Sequence, residues 1–439
     1  MNHNHLYVAL LVVMFLGIAV VFNTFPRSKV SLLEKRELAT FPQFSPERLA
    51  DGSFTTEVSS WYSDSEPFRD ELMSLSMYLK HGIRLDLGEE NIVFHASEET
   101  LEEKPAEEET EAPEPEEPEE VLPENPLADD KAKIANSGIL IVGSGENVRA
   151  LMAFGGGPKS GLRYAKMVNR YQEEFGDRLQ VYSMVVPTAI EFYCPDRVKG
   201  KYKSQEAVVR AIDEALDDGV KSVDALHALR QNIDKDIYLR TDHHWTPLGG
   251  FFAAEAFAKV AGVPFFPLTH YEQKVIHGYV GSMYGFSGDL SLKKAPEDFV
   301  YYEPQGVDYS TRIIDYTIDK NYHIVGESKP HKGAFFYRFK NGSGGAYCAV
   351  MGGDMRIVEV STGINNGRRL LVLKDSFGNM VPGFLFFSFE EVDVIDFRYF
   401  NKDLRQYIDD HQITDLLFIN NIFNVATPSA VRAYLRLLQ

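Results

Sequence analysis

The stretch Arg240–Gly250, RTDHHWTPLGG, sets an aspartate beside two histidines and closes with a tryptophan, a threonine and a proline. A carboxylate and an imidazole on one side of the chain can work as a base and its orienter. The carboxylate fixes the tautomer of the ring and stabilises the imidazolium that forms when the ring accepts a proton. In an extended segment alternate side chains share a face, so Asp242 and His244 are expected to project together and His243 to point away. Such a base needs a nucleophile, and LLVLKDSFGN supplies one. Ser376 stands at the exit of an apolar strand, before Phe377 and the small Gly378, where a hydroxyl is exposed with backbone N–H groups nearby to receive an oxyanion.

Other readings stay open on these residues alone. Asp-His-His also marks a class of manganese phosphoesterases, where it follows a hydrophobic strand and works with further aspartate motifs. Here it follows YLRT without a companion aspartate cluster of that kind, so no metal or other cofactor is expected. Ser282, in GYVGSMYGFSG, is a second candidate nucleophile, although its glycine-rich setting fits a loop that approaches the site. A purely structural reading has Asp242 and the histidines cap the helix that follows, with Trp245 anchoring the loop.

The elements that must position these groups are written in the local patterns. LQVYSMVV (179–186) is a buried-strand run, and residues 204–216 have helical spacing. IYLR enters the histidine motif as an extended piece. Thr246 and Pro247 are an N-cap and first-turn proline, and Gly262 sits where a helix stops, which predicts a helix over 247–261. In the last 75 residues RLLVL (369–373), VDVIDF (392–397) and DLLFI (415–419) read as strands. They alternate with helical segments at 403–410 and from Thr427-Pro428 to the end. Alternation of this kind implies an α/β fold with a parallel sheet and helices on both faces, and ligands then bind beyond the carboxyl ends of the strands. Ser376, Arg398, Asn420 and Asn421 all arrive at that edge, which makes the last three candidates for substrate or oxyanion binding.

Four regions follow along the chain. Leu6–Phe22 is an unbroken apolar run of 17 residues, about 25 Å as a helix and just long enough to span a bilayer. No small-residue cleavage pattern follows it, so residues 1–25 read as a membrane anchor. The basic residues Arg27, Lys29, Lys35 and Arg36 lie after the run and none before it, which by itself would keep the body in the cytoplasm. Residues 26–96 read as a membrane-proximal stalk packing on the main domain. Residues 97–130 read as a disordered acidic linker, with 16 acidic residues and one lysine against a total net charge of −19. What remains carries only −4, which excludes a basic nucleic-acid face. Residues 131–439 are the candidate catalytic domain. Its Cys194 and Cys348 are too few to indicate a redox compartment.

The chain resembles the DHHW family of bacterial exported proteins, relatives of the alginate O-acetyltransferase group. The resemblance rests on EKRELATFPQF, SDSEPFRD, VVPTAIEFY, TDHHWTPLGG, GSMYGFSG, LLVLKDSFGNMVPGFL and VIDFRYF, and covers nearly all of the chain outside the acidic insert. It implies an SGNH-hydrolase-like fold, an extracytoplasmic catalytic domain, and a catalytic triad of Ser376, His244 and Asp242. The relatives' serine follows G-D; Lys374 stands here in place of that glycine. The implied activity is transfer of an acyl group, an acetyl group in the first instance, to hydroxyls of a cell-surface or secreted polysaccharide. A membrane-bound O-acyltransferase is the implied acyl-donor partner. A carbohydrate esterase with the same triad and a non-catalytic envelope scaffold are the alternatives.

Overall fold

The computed structural model describes residues 12–17, 20, 23–27, 30–31, 36–37, 40–50, 52–69, 72 and 122–438, the last stretch without 136–137, 320–323 and 355. Most of the apolar run Leu6–Phe22, much of the expected stalk and residues 97–121 of the expected linker lie outside these. Among the described residues no helix is long and apolar enough to cross a membrane. The described residues of the N-terminal part include the helices Pro46–Ala50 and Ser53–Asp64. Arg27 lies over the ring of Trp61 at 4.2 Å and donates to the carbonyls of Tyr62 and Ser65.

A nine-stranded sheet organises the body. Its parallel part runs, in spatial order, β13 (Glu391–Asp396), β12 (Arg369–Lys374), β14 (Asp415–Asn421), β4 (Gln180–Val186) and β5 (Val220–Val223). The expected wholly parallel sheet is corrected on one side, where β11 (Arg356–Thr362) pairs antiparallel with β13. It is followed by β8 (Tyr309–Ile318), which pairs antiparallel with β9 (Ile324–Glu327) and β10 (His331–Gly333). β8 alternates buried Thr311 and Ile313 with exposed Ser310 and Arg312, as an antiparallel strand solvated on one face does. A small antiparallel sheet of β1 (Ala132–Ile134), β2 (Ile139–Val142) and β3 (Arg149–Met152) precedes this arrangement. A separate hairpin-like pair, β6 (Tyr271–Tyr279) and β7 (Glu297–Pro304), stands beside it.

Two-residue periodicity divides the central strands between two cores. Leu370, Val372, Leu417, Ile419, Met184 and Val186 face one cluster, while Leu371, Leu373, Leu416, Phe418, Val181 and Val185 face the other. Helix α4 (Pro247–Ala261) covers the first face with Phe251, Ala254, Phe257 and Ala261, spaced three and four apart. Helix α1 (Pro158–Phe175) covers the second with Tyr164, Val168, Tyr171 and Phe175, joined by α7 (Pro428–Arg436) through Val431 and Tyr434. Helices therefore cover both faces, and each fully buried aromatic or aliphatic side chain contributes about 1.5–3 kcal/mol. The helix predicted at 204–216 is shorter, α2 (Glu206–Asp213), and α5 (Leu404–Asp410) fills the predicted segment at 403–410. A short helix, α6 (Ile422–Ala426), precedes α7 and was not evident in the pattern.

Candidate active site

The polypeptide between Ile237 and Thr246 turns back on itself. Tyr238 and Trp245 form an isolated antiparallel bridge, and the Leu239 N–H donates to the His244 carbonyl at 3.2 Å. The motif is a bend and not the extended piece expected, so face alternation does not apply. His243 accordingly does not point away from Asp242: its Nδ1 lies 3.5 Å from Asp242 Oδ1, and its ring centroid is 3.8 Å from that of His244. Trp245 is fully buried and its Nε1 donates to the Phe377 carbonyl at 2.8 Å, which ties the motif to the turn after β12. The helix cap is Thr246, whose hydroxyl accepts from Gly249 N at 3.1 Å. Asp242 is left with other partners, so the capping reading does not describe it.

His244 joins the two motifs. Its Nδ1 is 2.7 Å from Asp242 Oδ1 and its Nε2 is 2.9 Å from Ser376 Oγ. Ser376 opens a 3-10 turn, Ser376–Met380, directly after β12, at the carboxyl edge of the parallel strands. Asp242 Oδ2 accepts from the Tyr279 hydroxyl and from Ser282 N, both at 2.8 Å, and Oδ1 also accepts from His244 N at 3.1 Å. The carboxylate is buried, and burial by itself would raise its pKa. The charge of His243, the hydrogen bond and charge of His244 and the Ser282 N–H outweigh burial and hold it well below the usual carboxylate range. Burial and the Asp242 charge push the Tyr279 hydroxyl well above its ordinary value, so it remains a donor.

The glycine-rich stretch around Ser282 does approach the site, and Gly281 is where the approach is tightest. A Cβ there would lie 2.3 Å from Asp242 Cβ and 2.5 Å from its Oδ2. Ser282 is buried, with its hydroxyl 2.7 Å from His243 Nδ1.

Tyr347 is a contributor that the sequence pattern did not signal, since it lies in the unpatterned stretch GSGGAYCAV. Its ring stacks on His244 at 3.9 Å between centroids and 16° between planes, and its hydroxyl donates to the Ser376 carbonyl at 2.9 Å. Burial keeps that hydroxyl well above its ordinary pKa and therefore protonated.

The three residues proposed for substrate or oxyanion binding have other partners. The Asn420 amide lies between the hydroxyls of Tyr164 and Tyr434, accepting at 2.9 Å and donating at 2.8 Å. Asn421 donates through its backbone N and Nδ2 to Asp375 Oδ2, while its Oδ1 caps α6 by accepting from Phe423 and Asn424 N–H. Arg398 pairs with Asp396 and Asp354. Asn421 and Arg398 thus hold Asp375 and Asp396 beside the turn that begins at Ser376, while Asn420 holds Tyr164 and Tyr434. Buried Asp375 is the centre of one brace, accepting from Phe377 N, Asn421 and Asn424. Lys374, also buried, is the centre of another, donating to Asp354 Oδ1 at 3.2 Å and Asp396 Oδ2 at 3.1 Å. Cys194 and Cys348 are not joined in a disulfide.

Known proteins are similar in fold and, in part, in sequence. A family model described as DHHW protein matches residues 34–103 and 120–395. A DHHW family protein from Eubacterium siraeum is 34% identical, with a TM-score of 0.62 over 70% of this chain and 97% of its own. Bacillus cereus PatB1, in a structure with a sulfonyl adduct, is 19% identical, with a TM-score of 0.53 over 68% of this chain and 99% of its own. A second PatB1 structure is 21% identical, with the same TM-score, over 66% of this chain and 99% of its own. No curated protein matches the chain.

Proposed function

We propose that this chain, which belongs to the DHHW family, is an extracytoplasmic O-acyltransferase, an acetyltransferase in the first instance, acting on hydroxyls of a cell-surface or secreted polysaccharide. The observation that carries this reading is the linear arrangement Ser376 Oγ, His244 Nε2, His244 Nδ1, Asp242 Oδ1, with separations of 2.9 Å and 2.7 Å at its two hydrogen bonds. Placement of the serine at a strand end, beneath helices on both faces of the sheet, supports an SGNH-hydrolase-like scaffold.

In the first half-reaction Ser376 Oγ bonds to the acyl carbon as its proton passes to His244 Nε2. The carbonyl electrons move to oxygen, where the Ser376 N–H, at the start of the 3-10 turn, stabilises the oxyanion. Collapse breaks the bond to the donor's leaving group, which takes the proton from His244. In the second half-reaction a glycan hydroxyl attacks the acyl-serine, gives its proton to His244 and leaves as the ester, while the proton returns to Ser376. Asp242 stays ionised and holds His244 in the tautomer with Nδ1 protonated. A membrane-bound O-acyltransferase would supply the acyl group, as the resemblance to the alginate O-acetyltransferase group implies.

The full chain incubated with p-nitrophenyl acetate and an oligosaccharide is expected to release p-nitrophenol and yield acetylated sugar by mass spectrometry. Ser376→Ala, His244→Gln and Asp242→Asn should each lower the rate by about 10²- to 10⁴-fold, and double variants should lose little more than single ones. Free acetate without sugar ester would replace the transferase by an esterase. Absence of turnover, together with no fluorophosphonate labelling of Ser376, would overturn the enzyme reading. For location, the apolar run at residues 6–22 motivates an anchor, and the family resemblance, against the flanking basic residues, motivates a body outside the cytoplasm; external protease should digest the body in intact spheroplasts, and full protection there would reverse the orientation.

A further inference from the structure

Asp242, His243 and His244 do more than support a proton relay, because both histidines converge on the same carboxylate. One ligand atom from each of the three side chains can be chosen so that all lie within 4.8 Å of one another. His244 Nδ1 and His243 Nδ1 lie 2.7 Å and 3.5 Å from Asp242 Oδ1. Around a tetrahedral ion, bonds of about 2.0–2.2 Å place neighbouring N and O ligands roughly 3.3–3.6 Å apart. Of the two separations to Asp242 Oδ1 the longer already matches that arrangement, and the shorter would open by about 0.6–0.9 Å. The Ser282 hydroxyl, 2.7 Å from His243 Nδ1, stands beside the same position. Tyr279 and the Ser282 N–H hold Asp242 Oδ2, the outer support that metal-binding carboxylates commonly have.

We propose that Asp242, His243 and His244 form a binding site for a borderline divalent transition-metal ion, Zn²⁺ or Cu²⁺, and that occupation of the site switches the catalytic base off. Two imidazoles and one carboxylate favour these ions over Mg²⁺ or Ca²⁺, which take mainly oxygen ligands. An ion on His244 Nδ1 takes the electron pair exposed when the Nδ1 proton leaves. The neutral ring keeps one proton by carrying it on Nε2 instead. Nε2 then donates to Ser376 Oγ and has no lone pair with which to accept the serine's proton. The metal-free chain is therefore the reactive form. The switch rests on the triad reading above; the binding site does not.

Two measurements separate these statements. Metal-free full-length Ser376→Ala, titrated with Zn²⁺ against a chromophoric chelator, is expected to bind one ion per chain. Asp242→Asn and His243→Gln in that background should each weaken binding by at least about tenfold, with thermal melts showing whether each variant is folded. Unchanged Zn²⁺ affinity in a folded His243→Gln variant, or no saturable binding by the parent, overturns the site. Should His243→Gln fail to fold, Co²⁺ added to the parent decides. Visible bands of tetrahedral nitrogen and oxygen coordination support the site, and an octahedral aqueous spectrum overturns it. In the wild-type chain, Zn²⁺ should slow fluorophosphonate labelling of Ser376 by at least about tenfold, and EDTA should restore it. Saturation with undiminished labelling overturns the switch. No labelling even without metal counts against the triad reading, while the titration still judges the site.

Discussion

His244 is held from four directions, by Asp242 at Nδ1, Ser376 at Nε2, Tyr347 on one ring face and the neighbouring ring of His243. Tyr347 is the support that most clearly separates orientation from chemistry. Its ring stacks on the imidazole and its hydroxyl donates to the Ser376 carbonyl. Tyr347→Phe removes one hydrogen bond, worth about 1 kcal/mol, and keeps the stack. It should slow fluorophosphonate labelling of Ser376 by no more than about tenfold. Tyr347→Ala also removes the aromatic face that attracts the imidazolium, worth about 0.5–2 kcal/mol, and should slow labelling further, by about 10- to 100-fold. Equal rates in the two variants, with both folded by thermal melt, would show that the stack contributes nothing. That Ser376, His244 and Asp242 meet was legible because each stood beside a strand or helix signal. Tyr347 was not, because its contact is made by a loop whose path no short-range pattern specifies.

At the scale of elements, local periodicity predicted helix α4 over 247–261 and strands β12, β13 and β14 to within a residue or two. These segments carry strong apolar runs or explicit capping residues. The antiparallel strands between residues 271 and 362 were missed, since partly solvated strands such as YEQKVIHGY mix polar residues into both faces. The bend of the histidine motif is not legible in local pattern because it is closed by Trp245 and set by tertiary contacts.

Lys374, which replaces a glycine expected from the family resemblance, shows how an element's end is braced. Its ammonium lies in the buried interior between Asp354 and Asp396, close to Arg398, directly before the turn that begins at Ser376. Although burial alone would raise the Asp354 pKa, the charges of Lys374 and Arg398 prevail and depress it. Lys374→Met leaves the buried Asp396 and the part-buried Asp354 sharing one arginine and should destabilise the body by about 3 kcal/mol at neutral pH. The sign with pH follows from the depressed carboxyl. Its contribution is complete above its unfolded pKa of about 3.9 and is lost as pH falls through the folded value. Denaturant melts should therefore show a constant gap between wild type and variant from pH 7 to about pH 5, shrinking below pH 4. A gap that widens on acidification would contradict this account.

Across the whole molecule, composition separates a nearly neutral folding body from an acidic segment, but it does not place the boundary between them. The expected linker extended to Asp130, yet residues 125–130 are docked. Asn125 Nδ2 donates to the Cys194 carbonyl at 2.9 Å, Asp196 N donates to the Ala128 carbonyl at 3.0 Å, and Leu127 packs against the main core. The acidic composition concealed this because a docking segment needs only one apolar side chain and a few backbone contacts, too little to register in a residue count. Residues 98–120 lie outside the described residues; their sequence holds prolines and glutamates and hardly an apolar side chain. Deleting 98–120 should leave the melting temperature of the full chain within about a degree, since nothing in that composition supports a core. Extending the deletion through 130 removes the Leu127 contact and two hydrogen bonds, together about 2 kcal/mol, and should lower the melting temperature by several degrees. The comparison is read by differential scanning calorimetry on the two deletions and the parent. A large loss from the shorter deletion would mean that the acidic segment packs against the body. No loss from the longer one would mean that residues 125–130 rest on the surface without stabilising it.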